Sequence, residues 1–371
     1  MPMKFAIGQR ARLGIGLLLP QSGLYAGVGQ SIANGLNLAL AKTSGRLAGR
    51  EVRLIIADDG SDAATAAANA QRLIQVEKVD VLVGAVHSDS AQGMVKVARD
   101  RAIPIIIANA GWNAATGAFC APNLFRTSFT NWQVNWPMGK VAVDRNYRRV
   151  ATITWRYTAG TEMIGAFEEN FTRLGGTIVQ RIQMPFPQMD FAPHLATLAA
   201  AQPDAIMAFF AGAGARQFIT DYAQSPLKDV PLLGPGFLTE GVRDLPAAEG
   251  ILTTLHYANA LNMPANRRFR AQYSETYGRP ADVYAVQGYD SGQLIAHAVE
   301  AMKGDTVNRA GLITAMETAR IDSPRGSFIL SKAHNPVQDI YLRQIRNGEE
   351  IVLGIAQRAL ADPATGCKMA K

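Results

Sequence analysis

Long apolar runs are missing from this sequence: none approaches the roughly 18–20 residues that a membrane-spanning helix needs. Histidine is scarce, and His87, His194, His256, His297 and His334 show no H-x-x-x-H pair and no neighbouring cysteine cluster. That excludes the usual zinc-ligand spacings and leaves no metal site to name. No G-x-x-x-x-G-K-[ST] occurs, and the two glycine pairs that tempt a nucleotide reading, Gly27/Gly29 and Gly212/Gly214, both lack the third glycine of the dinucleotide fingerprint. No G-x-S-x-G elbow is present, and His87 beside Ser88 is adjacency rather than a triad. Nothing demands catalysis or a cofactor. The net charge is +7, yet no run of five basic residues exists. Arg145/Arg148/Arg149 and Arg267/Arg268/Arg270 are short and lack interleaved aromatics, so they read as solvated helix faces rather than a nucleic-acid footprint.

What is present is an alternation of short apolar runs and helical patterns. The first run, Leu13–Leu19, breaks at Pro20 into Gln21–Gly29, and an amphipathic stretch from Gln30 to Ala41 follows. Lys4, Arg10 and Arg12 before that run mimic a signal peptide, but no A-x-A site follows and the run feeds straight into loop and helix. It is therefore read as strand one of the mature domain, any export signal having been removed, replaced or mis-started. Arg50–Ala57 predicts a strand, Asp62 an N-cap for an Ala-rich helix to Val76, Val79–Val83 and Ile103–Ala108 two more strands with a helix from about Asp89 to Asp100. The pattern restarts after Phe125-Arg126-Thr127-Ser128 with helices over about 131–146, 161–174, 191–201 and 215–224 alternating with strands at 150–155, 176–183, 205–210 and 232–233. Helices near 266–277 and 284–302 precede a β-rich end with an Asn347-Gly348 hairpin signal. At 371 residues, 48% of them hydrophobic, two α/β lobes with parallel, doubly wound sheets are the expectation.

In such sheets the carboxyl ends of adjacent strands converge on one crevice. Ser88 and Ser90 stand where a helix begins, and Asn109, Ala110 and Gly111 follow the next strand. Hydroxyls and helix-terminal amides suit a carboxylate, although plain N-capping explains the serines equally well. Tyr25, Trp112, Trp155, Tyr157, Phe209 and Phe210 also fall at strand ends, as core or as ligand platform. Cys120 and Cys367 flank turn-rich segments and are either unrelated thiols or one long-range disulfide of an oxidising compartment.

With these motifs in order, residues 12–358 resemble the type I periplasmic binding proteins, and more narrowly the branched-chain amino-acid family of ABC-transporter substrate-binding proteins. The resemblance is carried by Gly16–Gly23, Asp58-Asp59, Gly84–Ser88, Phe125–Ser128 and Tyr284–Asp290. It implies two three-layer α/β/α lobes, residues 12–127 plus 255–331 and 128–254 plus 332–358, with a tail over 359–371, joined by three hinge crossings near Thr127, Thr254 and Ser331. It implies ligand capture by cleft closure, with Ser88 and Asn109–Gly111 on the ligand carboxylate. It also implies a periplasmic, monomeric, non-enzymatic receptor that serves a membrane permease.

The departures from that family narrow the ligand. Its amino-acid binders carry an acid after a Gly-Pro in the far lobe, whereas this chain reads Gly234-Pro235-Gly236-Phe237. A buried, unpaired ligand ammonium would cost several kcal/mol. The family's Tyr-Gly after a lobe-two strand is replaced by Arg156-Tyr157-Thr158-Ala159-Gly160. The segments Ser323–Gly326 and Asn335–Asp339 are similar to the subgroup that binds aromatic carboxylates. The expected ligand is thus a benzoate derivative, phenylpropanoid or aryl 2-oxo acid, with Trp112, Tyr25, Arg156, Tyr157, Phe210 and Phe237 around its ring. The competing readings are a branched-chain amino-acid or amide binder, marked by Glu240 or Asp290 reaching the ligand, and a ligand-sensing domain.

Overall fold

The computed structural model describes residues 12–370, so Lys4 and Arg10 of the signal-like stretch lie outside the described residues. The chain divides into two compact units. The first runs to Phe129, resumes over Asn262–Val337 and takes in the tail from Pro363; the second comprises Thr130–Leu261 and Gln338–Asp362. The divisions fall at 129/130, 261/262, 337/338 and 362/363, against expected crossings near Thr127, Thr254 and Ser331.

The first unit opens with β1 (Arg12–Leu18), α1 (Ala26–Ala41), β2 (Arg46–Leu47), β3 (Arg50–Ala57), α2 (Ala63–Gln75), β4 (Val81–Gly84), α3 (Ser88–Ala98), β5 (Ile105–Ile107) and β6 (Leu124–Arg126). Its sheet runs β2-β3-β1-β4-β5-β6, parallel except for the short β2. Leu82, Val83 and Ile105–Ile107 are fully buried, as continuous apolar strands covered on both faces must be. Asp62 caps α2 by accepting from the amides of Ala64 (2.8 Å) and Thr65 (3.0 Å). β2 and β6 were too short to announce themselves.

The second unit begins with α4 (Asn131–Asp144), then β7 (Arg149–Arg156), α5 (Thr158–Arg173), β8 (Thr177–Pro185), α6 (Ala192–Ala200), β9 (Ala205–Phe209), α7 (Ala213–Ala223), β10 (Leu232–Pro235) and β11 (Leu252–Leu255). α4 starts on a capping box in which Thr130 and Gln133 satisfy each other's backbone amides.

The chain then returns to the first unit for α8 (Pro264–Tyr277), α9 (Val283–Ala301), α10 (Arg309–Glu317) and β12 (Ile329–Leu330), which pairs with Val337 and Pro336. β13 (Pro336–Arg346) leads back into the second unit, where β14 (Glu349–Leu360) folds onto it through the predicted Asn347-Gly348 turn, with Asn347 at φ 51°. The second sheet runs β13-β11-β10-β9-β7-β8, with β14 on the free side of β13. β7 to β11 are parallel, and β13 is antiparallel to both β11 and β14.

α9 packs on α1 at backbone contact distance. A Cβ on Gly35 would stand 1.9 Å from the Ala285 carbonyl oxygen, and one on Gly288 1.9 Å from that of Ile32. The glycines are what let two helices approach so closely.

Between the two units the tail is assigned to the first. Cys120 and Cys367 are disulfide-bonded there, with Cα atoms 5.5 Å apart. Beside the bond, Ala364 and Cys367 pack on Ala333.

Candidate functional site

In the first sheet β3 lies on one side of β1 and β4 on the other, so the winding direction reverses between β1 and β4. The carboxyl ends of adjacent strands flanking such a reversal form the natural ligand crevice of a doubly wound sheet. Here those ends lead into Pro20–Tyr25 and Gly84–Ser88, with the Asn109–Trp112 loop after β5 next in line. The sequence-predicted residues of this unit lie at the ends of these neighbouring strands. The Tyr25 and His87 ring centroids are 6.2 Å apart, and Ser88, 1% exposed, is the first residue of α3.

Two details differ from expectation. Gln21–Gly29 read as a loop, but α1 begins at Ala26, because a glycine at 29 lets the helix pass directly under the Pro20 carbonyl, 2.2 Å from where a Cβ would stand. The amides of Asn109–Gly111 were expected to face a carboxylate together. The Ala110 N–H is instead spent on the Ala85 carbonyl at 2.9 Å, which stitches the β5 loop to the β4 loop. Ala110 therefore shapes the site through its backbone. The Asn109 side chain donates to Gln287 Oε1 at 2.7 Å.

One residue that shapes this loop was not read as functional. Arg126, at the end of β6 and fully buried, donates to the carbonyls of Ala110 and Trp112 (2.8 Å for the latter) and to Thr116 Oγ1 at 3.4 Å. A charged residue ending an apolar strand was the available signal. Trp112 itself is 8% exposed and packs on Phe119, centroids 5.2 Å apart.

Acidic groups flank the same strand ends. Asp59 is fully buried and accepts from the Ser61 amide at 2.8 Å and from the Val86 amide of the β4 loop. Burial, reinforced by the nearby charges of Asp58 and Asp62, pushes its carboxyl up to about 7 against the pull of those amides. Burial lowers the His87 imidazole, opposed by Asp89 and Asp62. His87 accepts the Asp89 N–H through Nδ1 at 3.2 Å, so its neutral form is built into the start of α3.

In the second sheet β7 is flanked by β8 and β9, and the reversal falls between β7 and β9. Arg156 ends β7 and Tyr157 follows it, Phe210 follows β9, and Phe237 follows β10. Tyr157 lies 5.3 Å from Phe186 and 6.2 Å from Phe209, in the latter case nearly coplanar at 20°. Arg156 is exposed at the edge of this aromatic set, and Phe237 is buried in a short turn. Phe210 is placed differently from the expectation of a ring-facing residue. It is fully buried, with Trp155, Phe191 and Phe218 around it at 4.9, 4.9 and 4.6 Å. Its ring is core, and Phe186, not singled out in the sequence, takes the place beside Tyr157.

The two carboxylates that would mark an amino-acid binder are both engaged. Glu240 contacts Arg343 Nη1 and Nη2 at 3.2 Å, and the same guanidinium holds Glu350 at 2.5 Å. Arg343 is 1% exposed and also donates to the Tyr257 carbonyl (2.8 Å), Thr239 Oγ1 (3.2 Å) and the Gly236 carbonyl (3.4 Å). In the first unit Asp290 lies 3.2 Å from Arg325 Nε and accepts from Ser323 Oγ at 2.8 Å. Burial raises Asp290 to about 6 in spite of Arg325. Arg325 in turn holds the carbonyls of Thr127 (2.6 Å) and Ser128 (3.0 Å). Among the described residues no group of three or more His, Cys, Asp or Glu is placed to hold a metal, and no helix is long and apolar enough to cross a membrane.

A family model described as periplasmic binding protein matches residues 13–350. A solved ABC-transporter solute-binding protein from R. palustris, in complex with benzoate, is 46% identical, with a TM-score of 0.94 over 96% of this chain and 99% of that one. Another, from Rhodopseudomonas palustris BisB5 in complex with 3,4-dihydroxybenzoic acid, is 30% identical, with a TM-score of 0.90 over 95% and 99%. A curated relative from Brucella melitensis biotype 1, named Leu/Ile/Val-binding protein homolog 6, is 29% identical over 91% of this chain and 88% of its own length.

Proposed function

We propose, for a chain that belongs to the periplasmic binding protein family and is a solute-binding protein of an ABC importer, that its ligand is an aromatic carboxylic acid of the benzoate class. The observation that carries this reading is the fate of Glu240 and Asp290. A ligand ammonium needs a buried counter-charge, and these two acids are already held by Arg343 and Arg325. The benzoate and dihydroxybenzoate in the 46% and 30% identical structures support the same ligand class.

In this proposal the carboxylate is held by Ser88 Oγ and the Gly111 amide, with the positive end of the α3 dipole behind Ser88. Tyr25 borders it. The ring is met by Tyr157 with Phe186 and Phe237, offset aromatic contacts being worth about 0.5–1.5 kcal/mol each beyond area burial. Arg156 addresses ring substituents. The name of the 29% identical relative favours a second reading, a branched-chain amino acid.

A thermal-shift panel separates the two. At about 100 times Kd a specific ligand stabilises by about 2.7 kcal/mol. Benzoate, 4-hydroxybenzoate or 3,4-dihydroxybenzoate should raise the melting point while leucine, isoleucine and valine leave it unmoved. A shift by leucine with none from any benzoate would overturn the proposal. Ser88→Ala should weaken the benzoate response without lowering the ligand-free melting point.

A further inference from the structure

We propose that His334 and Glu317 form a proton-operated clasp on the segment through which the chain passes from α10 into β13. His334 is 4% exposed, and both of its ring nitrogens face acceptors. Nδ1 meets the Leu124 carbonyl oxygen at 3.1 Å, and Nε2 meets the Glu317 carboxylate at 3.0 Å. A neutral imidazole carries one N–H and can serve only one of these oxygens, whereas the imidazolium carries two and serves both. Phe125 stacks on the ring, centroids 4.2 Å apart and planes within 1° of parallel, which fixes the plane in which the two nitrogens point. The geometry is that of a charged ring bridging a strand and a helix end.

Leu124 opens β6 and Glu317 is the last residue of α10, so the ring ties the turn over 331–335 to both. The backbone of the turn is bonded as well: the Arg126 N–H donates to the His334 carbonyl at 3.0 Å, the His334 N–H to Ser331 at 2.8 Å and the Ser331 N–H to Asn335 at 2.9 Å. Loss of the ring proton leaves one N–H for two acceptors, so either the Leu124 carbonyl or the Glu317 carboxylate then faces a nitrogen lone pair. One of the two ties is broken, and a buried polar group without its partner is costly. Imidazole is the side chain that exchanges such a proton across ordinary pH. The cavity beside the ring is lined by Glu317, Lys332 and the uncharged Pro122, Leu330, Ser331 and Met369, and the Arg126 guanidinium of β6 is turned to the Ala110 and Trp112 carbonyls. Lysine and arginine titrate well outside the imidazole range, so the His334–Glu317 pair is what responds. The turn is pinned at acid pH and loosened as the pH rises.

Hydrogen exchange read by mass spectrometry on the ligand-free, disulfide-bonded protein tests this in peptides covering residues 331–337. Rates at pH 5.5 and 8.5 are compared after correction for the intrinsic pH dependence of exchange. Wild type should lose at least threefold in protection at pH 8.5. In Glu317→Gln the side-chain amide can donate to Nε2 of a neutral ring while the Nδ1–H serves Leu124, so the loss should drop below threefold. A wild-type loss below threefold, or a loss above threefold in Glu317→Gln, overturns the proposal. If that variant does not fold, nitrogen NMR of the wild-type imidazoles decides. The His334 signals are those missing from His334→Asn, a residue that tolerates the φ of 58° at this position. Two ring N–H groups at pH 5.5 and one at pH 8.5 support the clasp, and any other pattern overturns it.

Discussion

The disulfide between Cys120 and Cys367 is a perturbation whose size follows from the chain path. Replacing both cysteines by serine removes a link between residues 247 apart in sequence. In the chain-entropy description, a loop of that length in the unfolded chain corresponds to about 5.5 kcal/mol at 25 °C. If the second unit stays folded while the first opens, only about 90 residues of the loop become free, those between the cysteines that belong to the first unit. The loss is then about 4.6 kcal/mol, nearly the same because the dependence on length is logarithmic. Beside the bond, Ala364 and Cys367 pack on Ala333, with Met369 against them. The double variant Cys120→Ser/Cys367→Ser should therefore melt roughly 10–20 °C below wild type, at the 2–4 °C per kcal/mol usual for units of this size. Urea unfolding should show a lower midpoint and a steeper slope, since the uncrosslinked chain exposes more surface. Circular dichroism melts with and without reductant provide the assay. A double variant melting within 2 °C of wild type, or reductant without effect on wild type, would show that the bond contributes little to stability.

Two further outcomes concern stability. Gly288→Ala should cost about 2–3 kcal/mol, since its Cβ would meet the Ile32 carbonyl at 1.9 Å and force α1 and α9 apart. Gly165→Ala in α5, where a Cβ meets nothing within 4 Å, should instead stabilise by about 0.5–1 kcal/mol, and denaturant melts of both variants check the pair. Asp59 titrates near 7 in the folded protein against 3.8 unfolded. The fold therefore favours its protonated form, and that contribution, complete below pH 3.8, is lost as the pH rises through 7. Melting points should fall between about pH 4 and 7 and fall less in Asp59→Asn, and equal slopes for the two proteins over that range would contradict the assignment.

Local signals in the sequence located what local physics determines. The β3 bounds, the Asp62 cap and the Asn347 turn each depend on a few neighbouring residues, and the structure has them where the pattern put them. The strand ends carrying Tyr25, Ser88, Asn109, Arg156 and Phe237 were legible for the same reason. What escaped depends on distant partners. Asn109 meets Gln287 across 178 positions, Glu240 meets Arg343 across 103, and neither pairing leaves a periodic trace. The start of α1 was misplaced because Gly27 and Gly29 have loop propensity, which close packing under Pro20 overrides. Phe210 looked like a ligand platform because position along a strand does not reveal that Trp155, Phe191 and Phe218 enclose it.

The proposed preference for an aromatic acid rests on Glu240 and Asp290, the two acids that would mark an amino-acid binder, being already paired with Arg343 and Arg325. Isothermal titration of the purified, ligand-free protein with benzoate and, separately, with leucine tests it most directly. Benzoate should give one saturable site, and leucine no heat of binding up to millimolar concentration. A saturable leucine isotherm with none for benzoate would contradict it.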